Sequence, residues 1–124
     1  MGRERATHIG RKETEMTYKQ VFDMLKTTNL SVVYNSWEIG SVPALPYIVF
    51  TYPNNDDLFA DNINYQTIVQ LNIELYSKNK DFTSEGTLET VLKNNGIPFQ
   101  KSSVWIDSEN LYQTLYTTEV LING

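Results

Sequence analysis

Cysteine is absent from the 124 residues. Thiolate metal ligands, redox pairs and thiol nucleophiles are thereby excluded, and the chain must fold without disulfides. Arginine is absent after position 11, since Arg3, Arg5 and Arg11, together with the single histidine His8, lie in the first eleven residues. From Met16 onward six lysines face twelve Asp and Glu, a net charge of −6. Nucleic-acid affinity comes from clustered Lys and Arg, so such a body is a poor phosphate binder and no specific nucleic-acid partner is expected. No apolar run reaches the roughly 20 residues of a membrane span. Residues 1–16 also lack the apolar core of a secretory signal. No membrane partner is expected, and synthesis in the cytoplasm is.

Catalytic signatures are missing as well. The sequence holds no GxGxxG, no phosphate-binding loop ending in Gly-Lys-Ser or Gly-Lys-Thr, no HExxH and no GxSxG. His8 has no partner motif. Asp56, Asp57 and Asp61 share one loop, but without the alternating ligands and terminal glutamate of a calcium loop, so they read as turn carboxylates with Asp61 a candidate cap. Glu74 and Glu119 are expected to face solvent on the sheet. The expectation is a non-enzyme with no catalytic, cofactor or metal site.

What is present is a globular composition, 40% apolar and 20% charged, of the length of one domain. Residues 1–15 show no apolar periodicity and read as an arm or a vector-derived segment, and residues 16–124 as a single domain. Thr17 and Gln20 have the spacing of a capping box, with Met16 stapled against Val21. The stripe Tyr18, Val21, Phe22 and Leu25 predicts a helix over 18–28, closed by Asn29 in the left-handed region. A short strand is expected over 30–37, then a loop with Gly40, Pro43 and Pro46, then a strand over 47–52 that is apolar on both parities. A long loop runs from Pro53 to Asn64, polar at its ends and apolar at Leu58 and Phe59. Loops of that length are usually functional or disordered, and this one is expected to contact a neighbouring protein. Residues 65–77 alternate most clearly, with Val69, Leu71, Ile73 and Leu75 on one side. A second helix is expected over 84–95, capped by Thr83 or Ser84, with Glu85 at its positive end and Gly96 as its exit. Strands over 97–106 and 111–122 flank a turn at 107–110.

The order is therefore α-β-β-β-α-β-β. It predicts an α+β fold, a mainly antiparallel sheet of four to five strands with two helices packed on one face. The halves look alike: Leu25-Lys26 and Leu92-Lys93 each precede a polar turn and a strand, and Tyr-Gln-Thr recurs at 65–67 and 112–114. Two independent helix-to-strand units with similar caps account for that equally well. Eight tyrosines and two tryptophans exceed the needs of one small core. Trp37, Tyr47, Tyr52 and Tyr76 are candidate interface residues, because large amphipathic rings are enriched there, although sheet propensity enriches Tyr too.

An ordered set of short motifs spans most of residues 16–122. It comprises Leu25-Lys26, then Val32-Val33-Tyr34 and Trp37, then Leu45-Pro46-Tyr47-Ile48-Val49-Phe50. It continues through Ala60-Asp61-Asn62, Tyr65, Ile73-Glu74-Leu75-Tyr76, Leu92, Gly96-Ile97, and Tyr112-Gln113 with Tyr116. In this set the chain resembles the tail completion proteins (tail terminators, or tail-to-head joining proteins) of long-tailed bacteriophages and prophages of Gram-positive bacteria. The resemblance implies a structural virion protein that closes into a ring, a hexamer, caps the finished tail tube and joins it to the head. It implies no enzymatic activity and no cofactor. The implied partners are further copies of the chain, the major tail tube protein and a head-tail connector or stopper protein, and the implied location is the tail neck of the virion. No motif names the contacts; the candidates are Trp37, Tyr47, Tyr52, Leu58, Phe59, Asp61 and Tyr76. Two other readings stand beside it: another neck or minor capsid component such as a head-completion stopper, and a small cytosolic ligand-binding domain with an aromatic pocket.

Overall fold

The first helix, α1 (Tyr18–Lys26), begins where its capping chemistry places it. Thr17 Oγ1 accepts from the Gln20 N–H at 3.1 Å, and Gln20 Oε1 accepts from the Thr17 N–H at 2.9 Å. Val21, Met24 and Leu25 are its buried stripe, and Asn29 follows it at φ 66°, the left-handed exit expected of that residue. The structure, a computed structural model, describes residues 14–53 and 66–123.

A two-residue strand that the sequence did not predict, β1 (Glu15–Met16), precedes α1. It pairs in parallel with Leu121 and Ile122. The Leu121 N–H donates to the Thr14 carbonyl at 2.9 Å, and Thr14 Oγ1 donates to the Gly96 carbonyl at 2.7 Å. The ordered fold thus takes in Thr14 and Glu15, two residues assigned above to the arm.

Five further strands follow: β2 (Ser31–Tyr34), β3 (Tyr47–Thr51), β4 (Gln66–Ser77), β5 (Gln100–Ile106) and β6 (Leu111–Asn123). Among the described residues the sheet has six strands, in the order β2-β3-β4-β6, with β5 and β1 lying end to end along the outer edge of β6. It is mixed: its longest ladders are antiparallel, as expected, but two short pairings are parallel. β3–β4, β4–β6 and β5–β6 are antiparallel, whereas β2–β3 and β1–β6 are parallel. The β2–β3 reversal follows from the connection over 35–46. A tight hairpin forces antiparallel strands, but a connection of this length lets the chain return and start β3 beside the start of β2.

The second helix, α2 (Phe82–Asn94), starts two residues earlier than predicted. The Asp81 carboxylate is the N-cap, accepting from the Ser84 N–H at 3.0 Å and from the Ser84 hydroxyl at 2.8 Å. Those bonds hold its carboxyl below the usual carboxylate range. Gly96 ends the unit at φ 72°. Strand β5 begins at Gln100, because Pro98 cannot donate to a ladder. The expected turn is a 3-10 turn over Asp107–Glu109 closed by left-handed Asn110.

One core joins these elements. Val21, Met24 and Leu25 of α1 and Leu88 and Leu92 of α2 meet Ile48, Phe50, Val69, Leu71, Ile73, Leu75, Tyr116, Val120 and Ile122. The strand members share one sheet face by the register of β3, β4 and β6. The predicted odd face of β4 is therefore the core face, and α+β with two helices is the observed class. β3 is buried on both parities at Ile48, Val49 and Phe50, as its continuous apolar run implied.

Candidate functional site

Register builds the first candidate surface. Tyr47 pairs with Tyr76, and Tyr76 with Gln113, so the three lie in one row across β3, β4 and β6 on the face away from the core. Trp37, in the β2–β3 connection, packs edge-on against Tyr47 with ring centroids 5.7 Å apart. Tyr47 and Tyr76 are tilted together at 5.4 Å. Tyr76 Oη donates to Glu74 Oε1 at 2.8 Å and accepts from Gln113 Nε2 at 2.9 Å, which locks the ring. Burial, then the Glu74 bond, pushes the Tyr76 phenol up to about 12 against the opposing pull of Gln113. Burial and then Glu109 raise Tyr47. Both phenols stay neutral across the physiological range and act as fixed amphipathic rings.

Sequence reasoning named three members of this row, Trp37, Tyr47 and Tyr76, and the structure brings them together. Tyr52 is elsewhere. It lies on the core side in a second aromatic group, 5.0 Å from Tyr18, 5.8 Å from Tyr34 and 6.0 Å from Phe50. Burial, followed by Tyr18 and Tyr34, raises its phenol well above the ordinary range. Leu58, Phe59 and Asp61 lie outside the described residues, as do Asp56 and Asp57.

A charged cluster escaped the sequence reading. Glu85, predicted to complement the start of a helix, is only 2% exposed. Lys80 Nζ lies 2.9 Å and Lys101 Nζ 2.8 Å from its carboxylate, and Lys101 also reaches Glu89 at 2.6 Å. Thr114 Oγ1 donates to Glu85 at 3.3 Å, and Tyr116 Oη donates to Glu89 at 2.9 Å. Burial works to raise both carboxyls, but Lys101, with Lys80 on Glu85 and the Tyr116 hydroxyl on Glu89, holds them below the usual value. The same contacts raise Lys101. Glu85, Glu89 and Lys101 therefore keep their charges through neutral pH, which suits a fastening of β5 to α2 and not an acid–base pair. Two signals existed in the sequence: Glu85 and Glu89 are one helical turn apart, and Lys101 alternates along a strand with Ser103, whose hydroxyl accepts from Lys80 Nζ at 3.3 Å.

A depression of about 500 Å³, open to solvent, lies beside the stretch of β6 between its β5 and β1 partners. Gln70, Phe99, Gln100, Thr117 and Glu119 are among the residues that line it. Among the described residues no group of three or more His, Cys, Asp or Glu is placed to hold a metal ion, and no helix is long and apolar enough to cross a membrane. In comparisons with known proteins, the chain matches no family model and no curated protein sequence.

Proposed function

We propose that this chain is a structural subunit of the neck of a long-tailed bacteriophage or prophage, a tail completion protein that closes as a ring, a hexamer, on the finished tail tube and joins it to the head. The observation that carries the reading is the rigid row Trp37–Tyr47–Tyr76 on the sheet face away from the helices. Aromatic rings already held by packing, with Tyr76 also fixed by two hydrogen bonds, lose little freedom on binding, so such a row is a ready contact surface for another protein. The ordered motifs from Leu25-Lys26 to Tyr116 support the same assignment. The partners are other copies of the chain, the tail tube protein and the connector or stopper above it. The chain carries no cofactor, acts without catalysis, is made in the host cytoplasm and ends in the virion neck.

The test adds purified protein to tail tubes that lack their completion protein and images them. Rings at one end of each tube, lost when Tyr47 and Tyr76 are both changed to Ser, are the expected result. Free tubes at saturating protein overturn the reading. Binding to connector rings in place of tubes assigns the chain to the stopper class.

A further inference from the structure

The two ends of the sheet differ from the rest of the surface. Among the described residues eight large apolar side chains are exposed, and five of them lie at these ends. Phe22 on α1 and Tyr34 on β2 sit at the β2 end, and two more, Ile39 and Val42, belong to the connection that leaves β2. Val104 and Trp105 of β5 lie at the other end, with Phe82 beside them, where Lys80 spans the Phe82 and Tyr112 rings. Among the described residues both outermost strands also keep one row of backbone N–H and C=O groups free of sheet partners. Edge strands are normally protected by charge, proline or a bulge. β2 (Ser31–Tyr34) contains no charged residue and no proline. β5 (Gln100–Ile106) contains one charge, Lys101, and that ammonium is drawn onto Glu85 and Glu89 on α2.

We infer that the β2 end of one copy docks against the β5 end of the next, so that the sheet continues from subunit to subunit. Charge favours a second copy as the occupant. A chain of net charge −5 repels its own kind except through neutral surfaces, and these two ends carry no unpaired charge on their edge strands. Topology favours it as well. The open edges lie at opposite ends of one sheet, so one repeated contact covers both, whereas a single foreign strand covers one. Contacts of this head-to-tail kind generate rings when the rotation closes. The inference rests on the reading of the chain as a ring-forming subunit and names the surfaces that close the ring.

The test uses two variants of the full chain, Val104→Lys on β5 and Tyr34→Lys on β2, both at exposed positions. Mass is measured by light scattering after gel filtration, and folding by circular dichroism. The wild type is expected to assemble beyond a dimer, and each folded variant to be monomeric. Their equimolar mixture should form a heterodimer and nothing larger, because each variant keeps one open edge. Should either variant unfold, Ser102→Lys and Ser31→Lys, also exposed, replace them. A Tyr34→Lys variant that still dimerises shows β5 pairing with β5 and overturns the head-to-tail contact. So do folded variants that assemble normally. Loss of assembly on removing residues 1–13, with both edges intact, names that segment as the occupant and also overturns it. A wild type that stays monomeric up to high concentration overturns it too, while the tail-tube experiment still decides the neck reading independently.

Discussion

Glu85 is the residue whose environment departs furthest from what its neighbours in sequence suggest. A buried carboxylate is tolerated here because two ammonium groups and a threonine hydroxyl replace its hydration. Breaking a fully buried pair costs about 3–5 kcal/mol, mainly from the charge left behind. Lys80 and Lys101 are each about one-third exposed and can turn to water. We therefore expect Glu85→Ala to cost about 2 kcal/mol, read from urea unfolding. Lys101→Met should cost more than Lys80→Met, because it strands two carboxylates instead of one. The pH dependence has a defined sign. Glu85 and Glu89 sit below their ordinary value of 4.5 in the folded state, so their contribution is complete above that value and is lost as pH falls through the folded values. Lys101 sits above its ordinary 10.5, so its contribution is complete below that value and is lost as pH rises through the folded one. Thermal unfolding followed across pH should show a plateau through neutrality and an acid loss that is reduced in Glu85→Gln.

At the scale of elements, the N-terminal boundary is set by hydrogen bonds and not by the first helix. The capping box alone gives Thr17→Ala an expected cost of about 1 kcal/mol. Upstream of it, β1 adds the Thr14 bonds to Leu121 and Gly96, and Asn123 Nδ2 donates to Glu15 Oε2 at 2.7 Å. At about 0.5 kcal/mol for each of these three bonds, the low end for exposed pairs, a chain starting at Met16 should be less stable than one starting at Thr14 by about 1–2 kcal/mol. Equal unfolding midpoints for the two would show that β1 contributes nothing. The cluster around Lys101 belongs to this scale too, since it ties the exposed strand β5 to α2, while the outer edge of that strand has no partner among the described residues.

For the whole molecule, the distribution of charge decides what it can hold. Of the six lysines after Met16, Lys19 is paired with Asp23, and Lys80 and Lys101 are held by Glu85 and Glu89. Half of an already small cationic complement is thus committed within the chain, and phosphate affinity scales with the cations available to displace counterions. A chain starting at Thr14 is expected to show no salt-sensitive DNA binding by fluorescence anisotropy at physiological ionic strength. Binding that appears only with residues 1–13 present would assign it to Arg3, Arg5 and Arg11. For a ring that lets DNA pass without holding it, an acidic or neutral bore is the expected form. Lysines lining the bore of an assembled ring would contradict that.

The local elements were legible in the sequence because each rests on short-range physics. Period-2 alternation picked out β4 and its buried face. The capping box placed the start of α1, and Asn29 and Gly96 marked the left-handed exits. Trp37, Tyr47 and Tyr76 were legible as candidates by residue type, yet nothing local said that they share a row or that Tyr52 stands on the opposite side. That separation comes from parity and pairing: Tyr47 and Tyr76 are matched by the β3–β4 register, whereas Tyr52 joins Tyr18 and Tyr34. The parallel pairing of β2 with β3, the capture of Glu15–Met16 by β6 and the charged cluster were decided only in three dimensions. Each depends on partners distant in sequence, such as Thr14 with Gly96 or Glu85 with Lys101, and no local propensity encodes which distant backbone or charge will arrive. Short-range sterics and hydrogen bonding set the elements, while sheet order and the fate of each exposed edge follow from how those elements bury one common apolar face.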